Sequence, residues 1–428
     1  MNRNKRVLVL SNNCFSLSDS NGRTLGNLFE GWPKSKLAQL CVIASNPNWD
    51  LCDNYYCIED KSILRSFIRF TKADGRKLVP RFDAENTKGY NGDTIRTKVG
   101  KKTLFKVCFR ELLWSGKRWN SKSFQHWIDD FDPDIIVLQF GDSFFMLDIA
   151  YHLAKTRNVP LVIYNTEGYY FFPRNWHYIT KLDWLVFPIY NHIYRKKVER
   201  IMKLAKQSVY LNDKLKEDYD RVFGDASTVI YNSSSVEWSD APLFTGDAPK
   251  ICYLGNLGLD RDSGLIEIGE VLHSINPKYK INVYGKADDA MQARFAKAPG
   301  VDYRGLVSYE EVKRIIAESD ILFHVETEKG YKERQLQYAF TTKVADSVAS
   351  GRCFVVYAPE VLACSKYIRL HRCGWVASNK EELRLQIEHI IGDKNERDEI
   401  LPNAKRVAIE NHSLIGNAKK FQEILKSV

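Results

Sequence analysis

The chain has 428 residues, 44% of them hydrophobic and 27% charged, with a mean hydropathy of −0.36 and a formal net charge of +10. A single hydrophobic core stops growing at about 250–300 residues, so this length predicts two domains. With 24 Gly and 13 Pro the chain is neither collagenous nor low-complexity, and its apolar fraction excludes disorder.

No stretch approaches the ~20 uninterrupted apolar residues of a membrane span. The basic start is followed by a single short apolar run, Val7–Leu10, too brief for a signal-peptide core and better suited to a first strand. The nine cysteines are scattered, form no CxxC pair, and several lie inside apolar runs such as the one around Cys41. That pattern predicts buried reduced thiols in a cytosolic protein, with no zinc site.

Short β-branched runs predict strands at 6–10, 39–44 and 55–58. Between residues 61 and 125 there follow 17 Lys plus Arg against 5 Asp plus Glu, a net of +12 that leaves −2 for the rest of the chain. The same segment holds nine aromatics, among them Phe67, Phe70, Phe105, Phe109, Trp114 and Trp119. Basic residues interleaved with aromatics suit an anionic surface. Residues 71–103 lack periodicity and read as a long loop.

Further strands are predicted at 134–139, 161–164, 208–211 and 228–231, and a polar stretch at 233–242 reads as a linker. The strand pattern then restarts at 250–254, 281–284, 320–325 and 353–357, alternating with helices at 264–274, 309–319 and 342–350. Two helical patterns, 380–391 and 414–428, close the chain. Alternating strands and helices predict two doubly wound, Rossmann-like α/β halves.

Open parallel sheets bind ligands beyond the carboxyl ends of their strands. Three loops suit that place. After the first strand, Asp19-Ser20-Asn21-Gly22-Arg23 combines a glycine that admits an anion with a guanidinium fork. Opening the second half, Gly255-Asn256-Leu257-Gly258-Leu259-Asp260-Arg261 is a glycine-punctuated turn with a cation at its end. The third is Thr341-Thr342-Lys343-Val344-Ala345-Asp346, continuing to Gly351 and a buried strand. Either threonine can cap a helix, and Lys343 and Asp346 lie on one face of its first turns. A cation there suits a diphosphate and a carboxylate one turn on suits ribose hydroxyls.

The stretch from Thr342 to Gly351 resembles the TK-x-x-E-x-x-A-x-G element of GT-B nucleotide-sugar glycosyltransferases, nearest to the glycogen-synthase-like superfamily that includes family four. Other pieces resemble that family in the same order: Ile230-Tyr231-Asn232, the Gly255–Arg261 turn, Val283-Tyr284-Gly285, Tyr303-Arg304-Gly305 with Ser308-Tyr309-Glu310-Glu311, and Ser319-Asp320-Ile321. Two departures stand out. Asp346 holds the place of the second of two family glutamates while Tyr338 holds that of the first, and Gln139-Phe140-Gly141-Asp142 appears where many members carry a His.

The resemblance implies two Rossmann-like domains facing across a cleft with C-terminal helices: an acceptor-side domain at 1–235, a donor domain at 236–405, and a last helix at 406–428 returning to the first. It implies Gly255, Asn256, Arg261, Gly285, Thr342, Lys343 and Asp346 at the donor, and Gly22 and Arg23 at an acceptor or phosphate loop. Arg261 and Lys343 would stabilise the departing diphosphate, with no cofactor and no required metal. Retention of configuration is implied; an inverting enzyme would draw its base from Asp19 or Asp142.

The expected activity is transfer from a nucleoside-diphosphate sugar, UDP before GDP, to a saccharide or lipid-linked acceptor. It would serve bacterial surface polysaccharide synthesis, with the protein peripheral on the inner membrane face. A nucleotide-sugar 2-epimerase is one alternative, though its carboxylate pair and histidine do not assemble here. The other is a DNA-directed glycosyltransferase or binder, favoured only by the basic segment; a nucleic-acid partner is not expected.

Overall fold

The computed structural model describes residues 4–80, 103–171, 181–224, 226–329 and 336–428. The chain divides into two compact units, Met1–Ile230 with Asn417–Val428, and Tyr231–Gly416.

The first unit is built on eight strands: β1 (Val7–Leu10), β2 (Leu37–Cys41), β3 (Tyr55–Cys57), β4 (Arg76–Lys77), β5 (Ile135–Gln139), β6 (Leu161–Asn165), β7 (Gln207–Tyr210) and β8 (Ser227–Val229). Their order is β4-β3-β2-β1-β5-β6-β7-β8, parallel throughout except where β4 runs antiparallel to β3. Runs such as Val7-Leu8-Val9-Leu10 are apolar at every position because helices cover both faces of a parallel sheet. Val7, Phe15, Phe29 and Tyr55 anchor the core, which also takes in Phe421 and Leu425 from the last helix, Leu414–Ser427.

The second unit holds six parallel strands: β9 (Ile251–Leu254), β10 (Ile281–Tyr284), β11 (Val301–Gly305), β12 (Ile321–Val325), β13 (Cys353–Tyr357) and β14 (Trp375–Ala377). Their order is β11-β10-β9-β12-β13-β14. In each sheet the first strand, β1 or β9, lies where the winding reverses, so the loop after it opens at a topological switch point.

The expected fold class holds. Three strands among the described residues went unforeseen: β4 inside the 71–103 loop, and β11 and β14 at the edges of the second sheet. Residues 81–102, including Phe82 and Tyr90, lie outside the described residues. The helix Lys394–Asn411 runs unbroken through position 406, so the chain rejoins the first unit at Asn417.

The basic segment needs correction as a uniform surface. Trp114 stacks on Phe145 with centroids 4.0 Å apart, and Trp119 meets Phe124 edge-on at 5.7 Å; all four are core residues. Much of 61–125 is therefore scaffold, in helices Asp60–Arg69, Leu104–Trp114 and Lys122–Phe131. Eight of the nine cysteines are buried and all nine are free. No helix among the described residues is long and apolar enough to cross a membrane.

Candidate active site

The second unit brings Gly255, Asn256, Arg261, Gly285 and Lys343 together beyond the end of β9. Gly255 continues the strand pairing, its amide donating to the Tyr284 carbonyl at 2.8 Å, with φ +148°. A Cβ at Gly255 would overlap Cε and Nζ of Lys343, so the missing side chain is what lets the lysine stem cross the turn. A Cβ on Gly285 would strike the Gly255 carbonyl, which explains the second glycine. Asn256 shapes the turn: its Oδ1 accepts from the Gly258 amide at 2.8 Å, and its carbonyl accepts from the Tyr253 hydroxyl at 2.7 Å.

Lys343 sits on the first turn of the helix Thr342–Val348, its Nζ 5.6 Å from the Tyr253 ring centroid. The residue is half-buried but its ammonium end is enclosed. Burial first, and the Arg261 guanidinium second, push its pKa down to about 8. Arg261 opens the helix Arg261–Ile275 and is 5% exposed. It donates to Glu326 Oε1 at 2.6 Å, while its Nε has no partner among the described residues. Burial opposes the Arg261 charge, but the Glu326 carboxylate more than offsets this and its pKa is raised.

Glu326 was not foreseen. It follows β12, the strand beside β9, and is 2% exposed, with Oε2 unpartnered among the described residues. His324 Nε2 lies 3.6 Å from Glu326 Oε1, and neither ring nitrogen has a hydrogen-bond partner among the described residues. Burial, then Lys343 and Arg261, hold His324 well below its ordinary pKa and hence neutral. A charged residue closing an apolar strand, as in Ile321-Leu322-Phe323-His324-Val325-Glu326, was the available sequence signal. A cavity of about 940 Å³ opens beside Glu326, lined also by Asp260, Thr327, Lys329 and Tyr357, within the size range of small-molecule sites.

Asp346 makes a local contact within the second unit, its Oδ1 accepting from the Ser234 hydroxyl at 2.7 Å. Thr342 is the first helical residue, and Thr341, at the cap position, makes no side-chain cap. Arg352, next to Gly351, donates to the carbonyls of Ser239 and Ala241 at 2.6 and 2.9 Å and so pins the predicted linker to β13.

In the first unit Asp19 caps the helix Ser20–Asn27. Its Oδ2 accepts from the Gly22 amide at 3.0 Å and from Asn13 Nδ2 at 2.9 Å, so a carboxylate already occupies the place proposed for an anion. Gly22 is needed for packing, since a Cβ there would overlap the Cys14 carbonyl. Arg23 lies in the same turn, its amide donating to the Asp19 carbonyl at 2.8 Å. Asp142 follows β5, the neighbour of β1, and its carbonyl accepts from the Tyr190 hydroxyl at 3.4 Å.

Nearby, Glu111 accepts from the amides of Phe144 and Phe145, each at 3.1 Å, capping the helix Phe144–Arg157 from another helix. Burial pushes its pKa up to about 7.

Residues 268–423 match a family model described as "Glycosyl transferase-like". The fold matches HepE of Anabaena solved with UDP at TM-score 0.60 and 11% identity, covering 99% of this chain and 100% of that one. Sucrose-phosphate synthase of Thermosynechococcus elongatus matches at TM-score 0.60 and 9% identity, with 98% of each chain covered. WaaG, a glycosyltransferase involved in lipopolysaccharide biosynthesis, matches at TM-score 0.53 and 12% identity, covering 98% and 99%. The chain carries a glycosyltransferase-like domain on a GT-B fold. Fold and family match together mark a transferase enzyme. No curated protein sequence matches the chain.

The cations gather beyond β9, at the switch point of the second sheet. Lys343 and Arg261 are carried by two different elements onto one glycine turn. Together they can bind a diphosphate and stabilise the negative charge that grows as a bond to it breaks.

Proposed function

We propose that this protein transfers a sugar from a nucleoside-diphosphate sugar, UDP before GDP, to a saccharide or lipid-linked acceptor. The observation that carries the reading is the convergence of Lys343 and Arg261 on the Gly255 turn, where two cations face one enclosed carboxylate, Glu326. The net positive charge left there attracts a diphosphate. As the bond from the sugar anomeric carbon to the diphosphate oxygen breaks, the electron pair leaves with that oxygen. Lys343 and Arg261 then supply the stabilisation that a metal would otherwise provide.

HepE, of like fold, has been solved with UDP and with UDP-glucose, which supports UDP as the carrier. Retention of configuration and a place near family four rest on the resemblance of the Thr342–Gly351 element. The proposed setting is the inner face of a bacterial membrane, in surface polysaccharide assembly, in keeping with the basic 61–125 segment and the likeness to WaaG.

A thermal-shift screen across nucleotides and nucleotide sugars tests the core of this reading. A ligand at 100 times its Kd adds about 2.7 kcal/mol of apparent stability. UDP and at least one UDP-sugar are expected to raise Tm, and Arg261→Ala is expected to abolish the rise. Absence of any shift with the whole panel overturns the proposal.

A further inference from the structure

Three adjoining helices of the first unit turn apolar side chains outward. On Asp60–Arg69, Leu64 and Ile68 are exposed, and Phe70 just beyond is 92% exposed. On Leu104–Trp114, Phe105, Phe109 and Leu112 recur at helical spacing, the two rings stacked with centroids 6.4 Å apart. On Lys181–Met202, Trp184 is 73% exposed, and Leu185, Ile189 and Ile193 continue one stripe. The middle helix packs against both of the others. A well-ordered globular unit seldom leaves so many large apolar groups in water unless something covers them.

The charges identify the occupant. On Asp60–Arg69, residues 61, 65 and 69 follow one another at i, i+4, i+8 beside the Leu64–Ile68 pair, so beyond Asp60 at its start the outward arc is basic and apolar. Lys61, Arg65 and Arg69 are exposed and form no ion pair among the described residues. The acids of these helices are engaged or buried: Asp60 by Arg110 at 3.0 Å and Trp114 at 2.7 Å, Glu111 by two backbone amides, Glu199 by Lys196 at 3.0 Å, and Asp183 buried beneath the face. An apolar face edged by free cations is complementary to a surface that is anionic outside and apolar a few ångströms in.

We propose that this three-helix face seats the protein on an anionic lipid bilayer. The apolar stripes enter the boundary between headgroups and acyl chains, while Lys61, Arg65 and Arg69 meet the lipid phosphates. The inference deepens the membrane setting of the proposed function and moves its centre. The helix Lys181–Met202 lies outside the basic segment, whereas Trp114, Trp119 and Phe124 inside that segment are core residues and take no part.

The full chain is tested by co-sedimentation with vesicles of pure phosphatidylcholine or of equal parts phosphatidylcholine and phosphatidylglycerol. Binding is expected on the mixed vesicles alone, weakening as salt rises. Arg65→Glu with Arg69→Glu is expected to lower it about thirtyfold or more. Leu185→Ser with Ile189→Ser is expected to lower it roughly tenfold. Trp184→Phe is expected to remove a blue shift in tryptophan emission that vesicles induce in the wild type.

Equal binding to neutral vesicles overturns the proposal, and so does wild-type binding by the Leu185→Ser/Ile189→Ser protein. A wild-type dimer that this variant dissociates also overturns it, because the face then belongs to a second copy. UDP thermal shifts, measured in parallel, separate the two readings. Vesicle binding lost with the UDP shift kept sinks the docking face alone, and the reverse sinks the nucleotide-sugar reading alone.

Discussion

Lys343 is held close to losing its proton. Its folded pKa of about 8 lies below the ordinary 10.5, so between these values the unfolded chain binds more protons at this residue than the folded one. Stability of the nucleotide-free protein therefore gains from Lys343 as pH rises through that window. Nucleotide binding runs the other way, because a diphosphate needs the ammonium form and restores it. The UDP-induced rise in Tm is expected to shrink above about pH 8. Lys343→Ala is expected to remove that pH dependence and to lower kcat about 100-fold, near 3 kcal/mol, by analogy with deleting one oxyanion donor. A Lys343→Ala enzyme with wild-type turnover and a wild-type pH profile would place the lysine outside the chemistry.

Lys343 and Arg261 were legible in the sequence because each belongs to a local pattern, a glycine turn or a helix start. Glu326 was not, because it meets Arg261 across 65 residues of chain, and that meeting depends on β12 lying beside β9.

At the scale of elements, legibility followed position in the sheet. β1, β5, β12 and β13 are buried on both faces and show as largely apolar runs, broken only by His324 in β12 and Gln139 at the end of β5. β11 reads Val301-Asp302-Tyr303-Arg304-Gly305 and is an edge strand, where half-exposure permits charge and erases the run. β14, at the other edge, is three residues long. Helix capping was equally mixed. Ser308 and Glu311 form a reciprocal capping box visible in the sequence, whereas Glu111 caps Phe144–Arg157 from 33 residues away.

The distant cap has a consequence for pH. The Glu111 carboxyl, raised from 4.5 to about 7, binds more protons in the folded state across that window, so its contribution to stability falls as pH rises. Glu111→Gln is expected to flatten the fall in Tm between those values while its amide oxygen still accepts from one backbone amide. An unchanged Tm–pH profile in this variant would show that Glu111 does not titrate there.

For the whole molecule, the two-domain expectation from length holds, but the path of the chain is less simple than a cut at one linker. The chain leaves the first unit after Ile230 and rejoins it at Asn417, so the first unit is completed only after the second has been traversed. The family match, 268–423, begins inside the helix Arg261–Ile275 and ends within Leu414–Ser427, so its limits follow neither unit.

In that last helix Phe421 is fully buried, its ring meeting Phe29 edge-on with centroids 5.3 Å apart, and Leu425 is buried beside the same core. Truncating a buried phenylalanine costs about 3–5 kcal/mol in lost transfer energy and residual cavity. Phe421→Ala is therefore expected to lower the calorimetric transition of the first unit by roughly 10 °C. The Gly255, Arg261 and Lys343 cluster belongs wholly to the second unit, so the UDP-induced thermal shift should persist in this variant. A variant that keeps its wild-type transition would show that the helix is dispensable to the first core. One that keeps the transition yet loses the UDP response would show that Phe421 governs the nucleotide site instead, and the separation of the two units argued from their cores would fail.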